Sequence, residues 1–151
     1  MAVTISFYNT WIFHVGQQIR LDEGATPNTF VINLYSTRST WDATDTITVD
    51  VLGETQVASA NGYTQDTMNL AFASSVSWTN AAAVTTFDAD DVTWTASGGS
   101  ITAVSALVYD TTPTVPADPL MCDIDFGATQ TAGDGTDFKI TWNASGIFDI
   151  S

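Results

Sequence analysis

Short runs in which apolar and polar residues alternate, each followed by a turn signal, recur along most of this sequence. In 92–96, Val92 and Trp94 alternate with threonines, and in 119–126 apolar residues alternate with Asp123 and Asp125. A period of two places the apolar side chains on one face of a β-strand. The same pattern predicts strands at 29–36, 47–52, 67–78, 100–110 and 137–142, with 146–151 continuing the last one after a bend.

Glycine and proline signals separate these runs at 61–62, 98–99, 111–119 and 133–135. Several short strands at this spacing predict an all-β fold, mainly an antiparallel β-sandwich or barrel. One stretch differs, because Phe7, Trp11 and Val15 recur at helical spacing before Gly16. We therefore expect one short N-terminal helix over 5–16, within a single β domain over 1–151.

The charge balance excludes several classes of partner. The 151 residues include only 3 Lys and Arg against 17 Asp and Glu, for a net charge of −14. So few cations cannot neutralise a row of phosphates or hold an anionic membrane, so we expect no nucleic-acid partner and no membrane partner. A basic protein surface remains compatible with this charge. The N-terminal residues lack the positive region of a signal peptide, which favours synthesis in a reducing cytoplasm.

The residues that usually carry catalysis are scarce. His14 is the only histidine and Cys122 the only cysteine, and Cys122 falls on the inward face of a predicted strand. Zinc ligation needs a cluster of such residues, and the sequence has no phosphate-binding or dinucleotide-binding glycine loop. We therefore expect no cofactor and no enzymatic activity. A hydrolase would need a carboxylate pair across a cleft, for which Asp90 and Asp91 are the alternative candidates.

Two acidic turns are weak candidates for Ca²⁺, since hard cations prefer several oxygen ligands on a loop. Neither turn matches the twelve-residue EF-hand pattern, and acidic turns of this kind are more often simply solvated than bound to a metal. The candidate ligands are Asp88, Asp90, Asp91, Asp134 and Asp137.

Aromatic residues supply two further candidate surfaces. Trp41 and Tyr63 lie beside loop-like residues and could contact a glycan, although core packing is the commoner role of such rings. The segment 1–16 carries more apolar surface than one helix face can bury, so it is either part of the core or an anchor inserted between neighbouring subunits. The candidate interface residues are Phe7, Tyr8, Trp11, Ile12 and Phe13.

Several strings, taken in order, resemble a group of small tailed-bacteriophage virion proteins. They are "TFVINLYS", "NGYT", "DADDVTW", "ITAVSALVY", "PLMCDIDFG" and "FKITWNASG", and together they span most of the chain. The sequence departs from the group at 65–67, where "QDT" replaces a glycine-rich turn, and at Val104-Ser105, which replaces an Arg-Tyr pair. The resemblance is to strand and turn patterns and not to a catalytic motif.

The resemblance implies a virion structural protein. Its most direct form is a capsid decoration, or cement, protein that stabilises the head by bridging subunits of the major capsid protein. The expected partners are then the major capsid protein and copies of this chain in a homotrimer, on the capsid surface after synthesis in the host bacterial cytoplasm. The alternatives are a tail or fibre component, or a carbohydrate-binding module for adhesion to the host surface. The triplet Asn143-Ala144-Ser145 matches the acceptor pattern for N-linked glycosylation. In a phage protein made in a bacterial cytoplasm we expect it to be a polar bend and not a glycosylation site.

Overall fold

The fold is built from antiparallel strands. The computed structural model describes residues 3–9, 28–38, 42, 44–45, 54–70, 85–115 and 117–150. Within them lie β1 (Thr4–Phe7), β2 (Phe30–Thr37), β3 (Thr55–Gln56), β4 (Thr85–Phe87), β5 (Val92–Thr95), β6 (Ile101–Asp110), β7 (Leu120–Ala132), β8 (Asp137–Ile140) and β9 (Phe148–Ile150).

Five of these strands form one sheet in the order β1-β7-β6-β2-β3. The pairs β5–β8 and β4–β9 form two smaller sheets, and every pairing is antiparallel. The predicted all-β antiparallel class is therefore confirmed. β6 lies between β7 and β2, which explains why its sequence is apolar on both faces.

One face of the large sheet carries the main core. Phe30, Ile32 and Leu34 of β2 belong to the same buried cluster as Trp94 of β5 and Phe138 of β8. The ring centroids of Trp94 and Phe138 are 6.3 Å apart, in the edge-to-face arrangement that aromatic pairs prefer. The β5–β8 pair therefore covers part of this face.

The opposite face is also buried. Val31 and Tyr35 alternate with the core residues of β2 and pack in a second cluster with Leu107, Tyr109 and Leu120. Tyr8 joins this cluster and is 1% exposed. Side chains that alternation alone would assign to solvent therefore lie in a second, more polar interior.

The N-terminal helix prediction was wrong for residues 5–7. Residues 5–7, where a helix was expected, lie in β1, which pairs with β7 from Thr4↔Asp125 to Phe7↔Cys122. A partner strand supplies hydrogen bonds and burial that a helical spacing of aromatics does not reveal. Residues 10–16 lie outside the described residues. No helix in the described part of the chain is long and apolar enough to cross a membrane.

Of two other predicted strands, one lies wholly outside the described residues and one is partly described. Residues 47–52 and 71–78 lie outside the described residues. Residues 67–70 are not a regular strand, but they run beside β2, because the Leu70 N–H donates to the Phe30 carbonyl at 2.9 Å and the Ile32 N–H donates to the Met68 carbonyl at 3.0 Å. An isolated antiparallel bridge joins Val31 and Asn69. This stretch therefore extends the edge of the sheet without becoming a regular strand.

A buried ion pair lies on the more polar face. Asp123 of β7 is 1% exposed, and Arg38 donates to its Oδ2 from Nε at 3.0 Å and also from Nη2. Arg38 Nη1 lies 3.4 Å from Oδ2 of Asp125. The Oδ1 atom of Asp123 and the Oγ atom of Ser105 have no hydrogen-bond partner in the described part of the chain. The stability of this face therefore depends on Arg38.

Candidate functional site

A polar depression of about 490 Å³ opens on the second face of the large sheet. It lies where β2, β3 and β6 meet the segment 64–67 and the loop 111–119. Alternation along β2 directs Asn33 and Tyr35 to this face, and Gln56 of β3 pairs with Tyr35. Its lining includes Asn33, Tyr35, Gln56, Asp66, Tyr109 and Asp118.

Asn33 and Asp66 hold the floor of the depression through reciprocal hydrogen bonds. The Asn33 amide donates from Nδ2 to Asp66 Oδ1, and the Asp66 backbone N–H donates to Asn33 Oδ1 at 2.9 Å. Asn33 is 2% exposed, so its polar atoms need these partners. Asp66 has φ = +59°, a conformation that aspartate tolerates better than most residues. This turn is thereby fixed to the middle of β2.

One oxygen of the Asp66 carboxylate, Oδ1, accepts hydrogen bonds from several side chains. Tyr109 donates its hydroxyl to Oδ1 at 2.9 Å, and Gln56 donates from Nε2 to the same oxygen at 3.3 Å. Burial alone raises the pKa of Asp66, but the hydrogen bonds from Asn33, Tyr109 and Gln56 outweigh it and lower the net pKa. Asp66 is therefore ionised at neutral pH. Among the described residues its side-chain hydrogen bonds all reach Oδ1, which leaves Oδ2 as an acceptor on an exposed residue.

Tyr35 contributes a hydroxyl that has no hydrogen-bond partner among the described residues. Its side chain is 8% exposed and lines the depression. Burial, followed by the nearby charges of Glu54 and Asp66, raises the pKa of Tyr35 well above its ordinary value. The hydroxyl is therefore protonated and can both donate and accept a hydrogen bond. Tyr35, a residue more than nine-tenths buried, thus presents to the depression a hydroxyl that has no partner among the described residues.

Thr111 and Asp118, near the two ends of the loop 111–119, line one side of the depression, and hydrogen bonds hold the base of this loop. The buried carboxylate of Asp110 accepts from the Thr112 N–H at 2.9 Å and from the Asn28 side chain, and the Thr111 N–H donates to the Thr29 carbonyl at 2.9 Å. An isolated bridge between residues 114 and 117 closes the tip. At that tip Val115 is 88% exposed. A large apolar side chain thus lies in solvent at the tip of a loop that borders the depression.

The residues of the predicted N-terminal anchor are only partly described. Phe7 is half-buried and packs against the main core, whereas Tyr8 is buried in the second cluster. Burial, with the charges of Asp123 and Glu54, raises the pKa of Tyr8 well above its ordinary value. Trp11, Ile12 and Phe13 lie outside the described residues, as does His14.

Only one of the two proposed glycan contacts lies in the described part of the chain. Tyr63 is 2% exposed, and its ring packs against Trp94 with centroids 5.8 Å apart. Its hydroxyl accepts from the Leu34 N–H at 3.0 Å, which places Tyr63 in the core and not on a sugar-binding surface. Trp41 lies outside the described residues.

The candidate calcium ligands have structural roles in their turns. Asp91 forms an ion pair with Lys139 at 2.8 Å, which holds the pKa of Asp91 below its ordinary value. Asp134 accepts from the Gly98 N–H at 2.8 Å and Asp137 accepts from the Thr95 hydroxyl at 2.7 Å. In the described residues, no group of three or more His, Cys, Asp or Glu side chains is placed to hold a metal ion. The remaining two candidates are Asp88, whose Oδ1 accepts from the Ala89 N–H at 2.9 Å, and Asp90, whose carbonyl accepts from the Trp142 indole at 3.0 Å.

The sequence offered two clues to the depression. Asn33 is an amide in the middle of the apolar run "TFVINLYS", where only a specific partner makes burial favourable. Asp66 falls in the "QDT" stretch that replaces the expected glycine-rich turn, and it takes the positive φ that glycine would provide there. Neither clue reveals that these residues meet Tyr35, Tyr109 and Asp118. That outcome depends on pairings across 33 and 43 positions.

No protein-family model, curated protein sequence or solved structure matches this chain.

Proposed function

We propose that this chain is a structural protein of a bacteriophage virion, and that it acts as a capsid decoration protein bridging subunits of the major capsid protein. The observation that carries this proposal is the exposed Val115 at the tip of a loop that borders a depression rich in hydrogen-bond acceptors. An apolar contact surrounded by polar groups is the usual composition of a protein-binding surface. Adhesion to another protein is the function that this surface supports best.

The positions of the sequence strings that resemble phage virion proteins agree with such a role. They coincide with β2, β6, the first half of β7, and β8 with its following turn. These strands build the buried clusters and the pairing between sheets. A resemblance concentrated in the body of the fold supports a shared scaffold, on which the loops adapt to a particular shell.

The physical mechanism is adhesion repeated over many copies. A stiff β body contributes buried area across the junction of two shell subunits, and weak contacts in a multivalent array add up to tight retention. A net charge of −14 keeps free copies apart in solution and suits an outer surface away from DNA. A homotrimer fits the threefold points of an icosahedral shell, since closed symmetric assemblies are the common form of homo-oligomers.

The proposal is tested by adding the purified protein to shells assembled from the major capsid protein of the same phage. We expect binding at a fixed ratio of copies to shell subunits, a higher shell melting temperature, and a trimer by light scattering after size-exclusion chromatography. Val115→Asp should weaken binding, because a charge at the tip would be buried without a partner. Ala144→Asp adds the same charge on an exposed turn and should bind like the parent protein.

Labelling the protein in intact virions separates the capsid role from a tail or fibre role. Label on the head surface supports decoration, whereas label confined to the tail replaces it with the tail alternative. Absence of the protein from purified virions, together with no binding to shells, would reject the proposal in both forms.

A further inference from the structure

We infer that the depression between β2, β3 and the loop 111–119 is a receptor for an arginine side chain presented by a protein neighbour. The observation that points to a ligand is Tyr35, whose side chain is 8% exposed, lines the depression and has no hydrogen-bond partner among the described residues. This inference rests on the proposed function and deepens it, since the neighbour is a subunit of the capsid shell. A second copy of this chain is a poor source, because its only arginines are Arg20 and Arg38, and Arg38 is paired with Asp123.

The lining has an excess of acceptors over donors. Asp66 has its Oδ2 atom free of hydrogen bonds to the described residues, and Asp118 adds a second carboxylate. The Tyr109 hydroxyl already donates its hydrogen bond to Asp66, so it cannot also donate to a ligand. No Lys or Arg side chain lies among the described lining residues. The complementary ligand therefore carries several N–H donors and a positive charge.

Arginine meets these requirements better than lysine. Its guanidinium is a planar fork of five donors that pairs with carboxylates in two parallel hydrogen bonds and keeps its charge at all physiological pH values. A depression of about 490 Å³ has room for the whole side chain. Because Asp66 is fixed by the sheet on its Oδ1 side, its second oxygen is preorganised, which lowers the entropic cost of binding.

Other ligand classes fit the same lining less well. A phosphate or carboxylate would meet two carboxylates with no opposing cation. Sugar binding relies on an exposed aromatic face, but Tyr35 and Tyr109 are both more than nine-tenths buried and leave little ring area exposed. A Ca²⁺ ion would need several carboxylate or carbonyl oxygens around one point, and the described residues contain no such acidic group.

The inference is tested with the isolated protein by amide chemical-shift titration. The probe is N-acetyl-arginine amide, and the matched control is N-acetyl-citrulline amide, a neutral isostere. We expect the arginine probe alone to shift the amides of Asn33, Tyr35 and Asp66, with an affinity that falls as salt rises. Equal shifts from both probes, or shifts from glucose at the same amides, would overturn the inference.

Substitutions then assign the contact to the two carboxylates. Asp66→Asn keeps an oxygen for the bonds at Oδ1 and tolerates the positive φ, so the fold should persist while the charge at Oδ2 is lost. Asp118→Asn removes the second charge at a residue that also has a positive φ, +48°. Each change should weaken the arginine probe by about tenfold. Asp134→Asn removes the same charge elsewhere and should have no effect; equal weakening by all three would show a response to net charge alone.

Shell binding separates this inference from the proposed function. If shells bind the parent protein and the Asp66→Asn/Asp118→Asn variant equally well, the decoration role stands and the arginine receptor is rejected. If the arginine probe binds but shells do not, the receptor stands and the decoration role is rejected.

Discussion

Replacing Arg38 by methionine should strongly destabilise the protein, because it leaves the buried carboxylate of Asp123 without its cation. Arg38 donates to Asp123 Oδ2 from two nitrogens, while Asp123 Oδ1 has no partner in the described residues. The side chains of the pair are 22% and 2% exposed. Removing one partner of such a buried pair costs about 3–5 kcal/mol. For a domain of this length, that loss corresponds to a fall in melting temperature of about 6–20 °C.

The loss should depend on pH in a defined direction. Burial raises the pKa of Asp123, the Arg38 guanidinium lowers it, and the charge of Asp125 raises it, so that the net pKa lies above the ordinary value. A raised pKa in the folded state gives stability that is present at low pH and is lost as pH rises through that pKa. Without Arg38 the pKa of Asp123 rises further. The destabilisation should therefore be largest at neutral pH and shrink as Asp123 takes up a proton on acidification.

Urea unfolding of the parent protein and Arg38→Met at pH 7 and pH 5 measures both effects. The matched control is Arg38→Met/Asp123→Leu, which also removes the stranded charge and should recover most of the lost free energy of unfolding. A loss below about 1 kcal/mol at pH 7, the value of an exposed pair, would refute the argument. So would an equal loss at both pH values.

Three further outcomes follow from the packing. Gly62→Ala should lower the free energy of unfolding in urea more than Gly135→Ala. Both glycines have a positive φ, where an alanine is strained by about 1–2 kcal/mol, but only at Gly62 would the added Cβ also collide with a backbone carbonyl of β5. Equal losses would contradict this packing. Tyr63→Phe should cost about 1–3 kcal/mol, since it leaves the buried N–H of Leu34 unsatisfied; a neutral effect would show that water replaces the hydroxyl. Cys122 is buried, and burial raises the pKa of its thiol, so thiol reagents should label it only at the rate of unfolding; fast labelling of the native protein would disprove that burial.

The depression and the buried ion pair were not predicted from the sequence. Asn33, Asp66 and Tyr109 are separated by 33 and 43 positions, and only the pairing of β2 with β6 and the path of 64–67 bring them together. Alternation placed Asp123 on the face opposite the main core, but it could not show that this face is also buried. The helix predicted over 5–16 was wrong at residues 5–7 for a related reason, because pairing with β7 decides the conformation of β1.

The sequence by itself determined the class of fold. Period-two alternation fixes which side chains share a face of a strand, and Asn61-Gly62 and Gly98-Gly99 take the positive φ that their turns need, so these local signals predict β2, β5, β6 and β8. Tertiary structure decided the rest: the order of strands, the burial of the second face, and the meeting of Tyr35 with Asp66 at one depression. Contacts between distant residues depend on register and on what covers each face, and no local pattern encodes either.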